Sequence, residues 1–333
     1  MSKRVKIFWL SAIVLVASLV LIMKIFNYQR NNIVIERQPE FFGVTFSKKY
    51  AEEIGLDWRE TYLQILDDLK VKHIRLPIYW DEIEKTKGTF DFSEYDYLIS
   101  EGSKRQTHFI INIGWRLPRW PECHAPAWTN QENITDIQGD TLAMLQKTVE
   151  RYRDNPAIIY WQVENEPFLN TFGICPKSDE AFLKKEVELV KSLDDRPVII
   201  SGPGELNLWK KEAKYGDVFG TTMYRVVWSN ITGYLRYPIP SWFYRLKAYF
   251  AGIPKDKRII AELQAEPWVP QGKIIHLSKS EADYSFNIDQ FKANLRYAEK
   301  TRFKKAYLWG VEWWYWQFKH GDPEYWELAR TIF

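Results

Sequence analysis

The stretch Trp161-Gln162-Val163-Glu164-Asn165-Glu166-Pro167 places two acids and an amide directly after an apolar run. A hydrophobic core has no use for such groups. A second apolar run, Arg258 to Leu263, carries Glu262 near its end, and Glu266 follows four residues on. Two carboxylates on separate elements are what splitting an acetal requires. One delivers a proton to the leaving oxygen, and the other faces the sugar carbon as nucleophile or charge stabiliser. Glu166 and Glu262 are the pair this chemistry selects, with Glu164 and Glu266 as alternative acids. A gap of about 5–5.5 Å between the carboxyl groups would mean retention through a covalent glycosyl-enzyme, and about 6.5–9.5 Å would mean inversion.

The elements that must position these groups alternate along the chain. Strand-like runs lie at 41–46, 73–80, 108–114, 157–164, 197–202, 217–224, 258–263 and 306–314, each followed by a helix candidate. Several are continuously apolar, as strands are when helices cover one face and a packed interior the other. Eight such units predict an α/β fold of the closed (β/α)8 TIM-barrel type. An open doubly wound sheet that bound a dinucleotide would carry a glycine-rich turn after its first strand, and GVTFSKKY has none. Chemistry in a barrel belongs to the C-terminal strand ends. Those ends carry Arg75 and Trp80, Asn112 and Trp115, Asn165 and Glu166, Tyr224, Glu262, and Trp309 with Glu312.

In that register Asn165-Glu166-Pro167 resembles the signature of glycoside hydrolase clan A, the retaining (β/α)8 enzymes that include cellulase-like family 5 and the β-galactosidases. The resemblance extends over about residues 41–331. It implies that Glu166 is the acid/base beside Asn165 and that Glu262 is the nucleophile. It further implies that Arg75 supports the nucleophile, that Tyr224 hydrogen-bonds it, and that Trp309 floors the sugar site. The expected function is a retaining glycoside hydrolase acting on an oligo- or polysaccharide by double displacement. The alternatives are a catalytically inactive carbohydrate-binding barrel and a transglycosylase that uses the same glutamates.

Among 333 residues there are 16 Trp, 19 Tyr and 19 Phe, and indoles can stack on the apolar faces of sugars. The loop after the third strand, NIGWRLPRWPECHAPAW, offers Trp115, Trp120, Trp128 and His124 for substrate contact. Trp80, Trp268, Trp309 and Trp314 lie on or beside the same rim. Cys123 in this loop and Cys175 in the next are the only cysteines, and neighbouring loops make a disulfide between them the expectation. Five scattered histidines form no zinc spacing, so no metal or cofactor is expected. With 46 Lys+Arg against 43 Asp+Glu, nothing points to nucleic acid.

The N-terminus reads differently. A basic lead precedes an uncharged run from Ile7 to Met23, at the short end of the roughly 17–25 residues that cross a bilayer. The expected organisation is a cytoplasmic tail (1–6), a transmembrane anchor (7–26) in contact with lipid, a linker (27–38), and a barrel (39–333). The charge bias would place that barrel outside the cytoplasm.

Overall fold

Runs such as Phe109-Ile110-Ile111 can be buried on both faces only inside a covered parallel sheet. The computed structural model, which describes residues 40–205 and 207–333, does this with a closed barrel. Its strands are β1 (Phe42–Thr45), β2 (His73–Pro77), β3 (His108–Ile113), β4 (Ile158–Val163), β5 (Val198–Gly202), β6 (Val218–Met223), β9 (Arg258–Gln264) and β10 (Ala306–Trp309). They run parallel in the cyclic order β1-β10-β9-β6-β5-β4-β3-β2. In this ring β4 lies diametrically opposite β10.

Ile110, Ile199, Val218, Ile259 and Tyr307 pack together as one small buried cluster. Nearer the C-terminal strand ends Arg75, Asn112, Gln162 and Glu262 are buried in place of hydrocarbon. The larger apolar cluster includes Trp161, Val187 and Phe291 and joins strands to helices.

Helix starts follow local chemistry. Asp57, Asn133, Asp179 and Asn287 cap the helices Trp58–Asp67, Ile134–Tyr152, Glu180–Leu193 and Ile288–Thr301 by accepting N–H groups of the first turn.

Three features differ from the sequence expectation. A two-stranded antiparallel hairpin, β7 (Val226–Ser229) with β8 (Gly233–Arg236), is inserted after β6. The run 306–314 is not one strand, because Gly310, at φ +130°, turns the chain into the helix Val311–Lys319. The third is the expected transmembrane helix, with its lipid partner and membrane-anchored placement, which the described residues do not support. Among the described residues no helix is long and apolar enough to cross a membrane. The described helices instead bury one face on the barrel and show charge on the other. Residues 1–38, including the stretch expected as tail, anchor and linker, lie outside the described residues.

Candidate active site

Arg75, fully buried on β2, organises the centre of the mouth. Its Nε donates to Gln162 Oε1 at 2.7 Å, and Nη1 donates to Glu262 Oε1 at 2.9 Å. Nη2 reaches Asn112 Oδ1 at 3.1 Å and Asn165 Oδ1 at 2.9 Å. One planar fork therefore ties four barrel strands, or their ends, into one fixed geometry. The Tyr224 hydroxyl donates to the other oxygen of Glu262 at 2.9 Å. Glu262 thus has a cation on one side and a neutral donor on the other.

Glu166 has a different environment. Thr222 Oγ1 donates to its Oε1 at 2.9 Å, and its backbone N–H donates to Ser201 Oγ at 2.9 Å. Burial, and then the negative charge of Glu262, push the Glu166 carboxyl up to about 8. Both side chains are nearly sealed, at 8% and 3% exposure for Glu166 and Glu262. Two carboxyl groups held in unlike surroundings can hold different protonation states.

Glu164 and Glu166 both adopt positive φ, +57° and +48°. The strand alternation ends there, so consecutive side chains need not point to opposite faces. Glu164 accepts the N–H groups of Trp115 and Arg116 at 2.6 and 2.7 Å. It anchors the β3 loop and does not share the Glu166 environment. Gly114 is needed beside it, because an added Cβ would stand 2.3 Å from Glu164 Oε1. Glu266, the other alternative acid, is bonded to Arg119, which also reaches Glu312 at 3.1 Å.

The expected tryptophans divide. Trp80 and Trp314 are fully buried. Trp80 donates to Glu84 Oε2 at 2.6 Å and Trp314 to the Ala265 carbonyl at 2.6 Å, so both are packing residues. Trp128 packs edge-on to Trp80 and donates to the Glu84 carbonyl at 2.9 Å. His124 is buried too, its Nε2 3.0 Å from the Arg119 carbonyl, and burial with the nearby Lys49 pushes it down to about 3. Trp115 is half-buried where the β3 loop begins. Trp309 keeps 8% exposure at the end of β10. Trp120 is 60% exposed and meets Phe172, which meets Trp268, which stands edge-on to Tyr224. Cys123 and Cys175 form a disulfide, with Cα atoms 5.3 Å apart, that joins the β3 and β4 loops.

Sequence reasoning missed three groups here. Glu122 is a third buried carboxyl at the centre, 4.0 Å from Arg116 Nη2. Burial, and then Glu262, raise it far above the ordinary range. Glu205 is raised to about 7 by burial, accepting from Tyr244 OH at 2.6 Å and from the Tyr224 N–H at 3.2 Å. Arg119 spans loops far apart in sequence. Only the acid type of Glu122, beside Cys123 in a proline-rich loop, gave any signal.

The chain is 23% identical over 183 residues to "Beta-galactosidase BgaA" of Clostridium cellulovorans, covering 49% of this chain and 28% of that one. It is 25% identical over 122 residues to "Probable mannan endo-1,4-beta-mannosidase A-1" of Aspergillus terreus, covering 34% and 31%. It therefore spans about a third or less of the length of these curated relatives.

Among solved structures, the GH5_18 protein from Streptomyces cattleya in complex with GlcNAc superposes with a TM-score of 0.57 at 13% identity, covering 80% of this chain and 69% of that one. An endo-β-1,4-xylanase of glycoside hydrolase family 10 from Gloeophyllum trabeum superposes with a TM-score of 0.56 at 13% identity, covering 81% and 84%. These likenesses show the barrel fold. The sequence profile "Cellulase (glycosyl hydrolase family 5)" matches residues 36–263, a span that holds Arg75, Asn165, Glu166, Tyr224 and Glu262. With well over half of its length so matched, the chain belongs to glycosyl hydrolase family 5.

Proposed function

We propose that this protein hydrolyses O-glycosidic bonds with retention, Glu262 acting as nucleophile and Glu166 as acid/base. The observation that carries the reading is the unlike treatment of two buried carboxyls. Glu262 meets Arg75 and Tyr224, while Glu166 is pushed up to about 8 and so holds a proton at neutral pH. In the first step a Glu262 oxygen bonds the anomeric carbon, the bond to the leaving oxygen breaks, and the Glu166 proton passes to that oxygen. In the second, water attacks the same carbon, its proton returns to Glu166, and the Glu262 carboxylate is released. Asn165, oriented by Arg75 and by Ser201 Oγ at 3.1 Å, is placed to meet the sugar 2-hydroxyl. Trp309, Trp268 and Trp120 are the proposed sugar-contacting indoles, with Trp115 beside them.

The test is a panel of aryl β-galactosides, β-mannosides, β-glucosides and β-xylosides, chosen from the chemistry named for the relatives. Glu262→Gln should abolish turnover. Glu166→Ala should retain the substrates with the best leaving groups, because those need no proton. Wild-type turnover in Glu262→Gln would refute the assignment.

A further inference from the structure

The geometry points to exo action: the site takes the terminal sugar at the non-reducing end of a chain and rejects internal bonds. This rests on the proposed roles of Glu166 and Glu262. Glu166 protonates the leaving oxygen, so the leaving part of the substrate lies on the β4 side. The sugar that stays behind, and anything attached to its far end, points toward β10 across the ring.

That far side is closed by the protein itself. The loop after β3 crosses the ends of β2 and β1. Arg119 in this loop reaches Glu312 beyond β10 at 3.1 Å and also bonds Glu266 beyond β9. Its guanidinium lies 4.0 Å from the centroid of the Trp309 ring and 3.4 Å from that of Tyr50. Burial alone would weaken its charge, but Glu266 and Glu312 overcome that and hold it protonated.

Further bonds fix the crossing beneath it. Ser47 donates its N–H to Glu312 Oε1 at 2.5 Å, and its Oγ lies 2.8 Å from the Tyr79 hydroxyl. That hydroxyl donates to the Pro118 carbonyl at 2.9 Å. Arg119, Glu266, Glu312, Ser47 and Tyr79 are all at least nine-tenths buried. A second sugar on this side would have to displace a buried arginine from two carboxylates, leaving buried charge unpaired.

Beside this closure Tyr224, Trp268, Phe172 and Trp120, from the loops after β6, β9, β4 and β3, form a row with successive ring centroids 5.6, 6.3 and 6.0 Å apart. The outer two are 42% and 60% exposed for Phe172 and Trp120. This row suits a leaving chain of several sugars. The β10 side therefore ends at Arg119, which leaves the β4 side for the departing chain.

The experiment uses the whole chain with reducing-end-tagged cello-, manno- and galacto-oligosaccharides. Each is supplied free and with its non-reducing terminal sugar blocked as a 4,6-O-benzylidene acetal. Expected is stepwise loss of one sugar at a time from the free form and no cleavage of the blocked form. Arg119→Ala, checked for folding by circular dichroism, should gain cleavage of the blocked chain. Internal fragments appearing first, or wild-type cleavage of the blocked chain, would overturn the inference and leave the hydrolytic reading intact. Failure to cleave any oligosaccharide or aryl glycoside would overturn that reading too.

Discussion

Replacing Thr222 by valine should raise the basic limb of the pH profile of kcat/KM. Thr222 Oγ1 gives Glu166 a hydrogen bond of 2.9 Å in a site where both residues are buried. This bond favours the ionised carboxyl, holding it lower than burial and Glu262 would set it. A bond to a charged acceptor is stronger than one to a neutral acceptor by about 1–1.5 kcal/mol, or roughly one pH unit. The limb near 8 should therefore move toward about 9. At pH 7 little changes, since the acid is already protonated. At pH 9 the protonated fraction, and with it kcat/KM, should rise about fivefold relative to wild type. The assay is turnover of an aryl glycoside with a poor leaving group, from pH 5 to 10. Glu262→Gln removes the negative neighbour, so the Glu166 carboxyl in that variant should titrate lower, as read by carboxyl-carbon NMR. An unmoved or downward-moving limb in Thr222→Val would refute Glu166 as the proton donor.

Arg75→Met leaves Glu262, Gln162 and Asn165 without their shared buried donor and should cost about 3–5 kcal/mol in urea unfolding. Tyr224→Phe removes only one donor to Glu262, so it should lower kcat about tenfold or more while leaving Tm near wild type. Trp314→Ala should cost about 3–5 kcal/mol by emptying a packed site. Trp120→Ala should leave Tm unchanged and raise KM for long oligosaccharides only. Stability should fall from about pH 6.5 to 8, read as Tm. Glu166, Glu205 and Glu312 have folded values of about 8, 7 and 7, above the ordinary carboxylate value, so the native state holds more protons than the unfolded chain across that window. The depressed His73 and His124, at about 4 and 3, act oppositely, but only below about 6.5. A rising Tm over that window would contradict the burial of these acids.

The barrel was readable because its strands are covered on both faces, which writes several of them as nearly unbroken apolar runs. The same logic put Glu166 and Glu262 at strand ends, where apolar runs stop. It failed at 306–314, where Trp313 and Trp314 continue the hydrophobicity through Gly310 but bury it on a helix. It failed again at Val226–Arg236, which was not read as strand and forms a two-stranded hairpin. Aromatic identity alone did not separate Trp120 from Trp314, because an indole serves a core and an open cleft equally well. The Arg119 cluster was invisible for a different reason: its partners lie 147 and 193 positions away, and no local pattern marks such a meeting.

The left-handed backbone at Glu164 and Glu166 has a cost that folding alone would not choose. A side chain held at positive φ forgoes about 1 kcal/mol that glycine would not, and Glu166 adds an acid shut away from water. Glu166→Gly should therefore melt higher than the parent while splitting only the substrates with the best leaving groups. Under the role proposed for Glu166, selection for rigidity and selection for turnover would pull this one position in opposite directions.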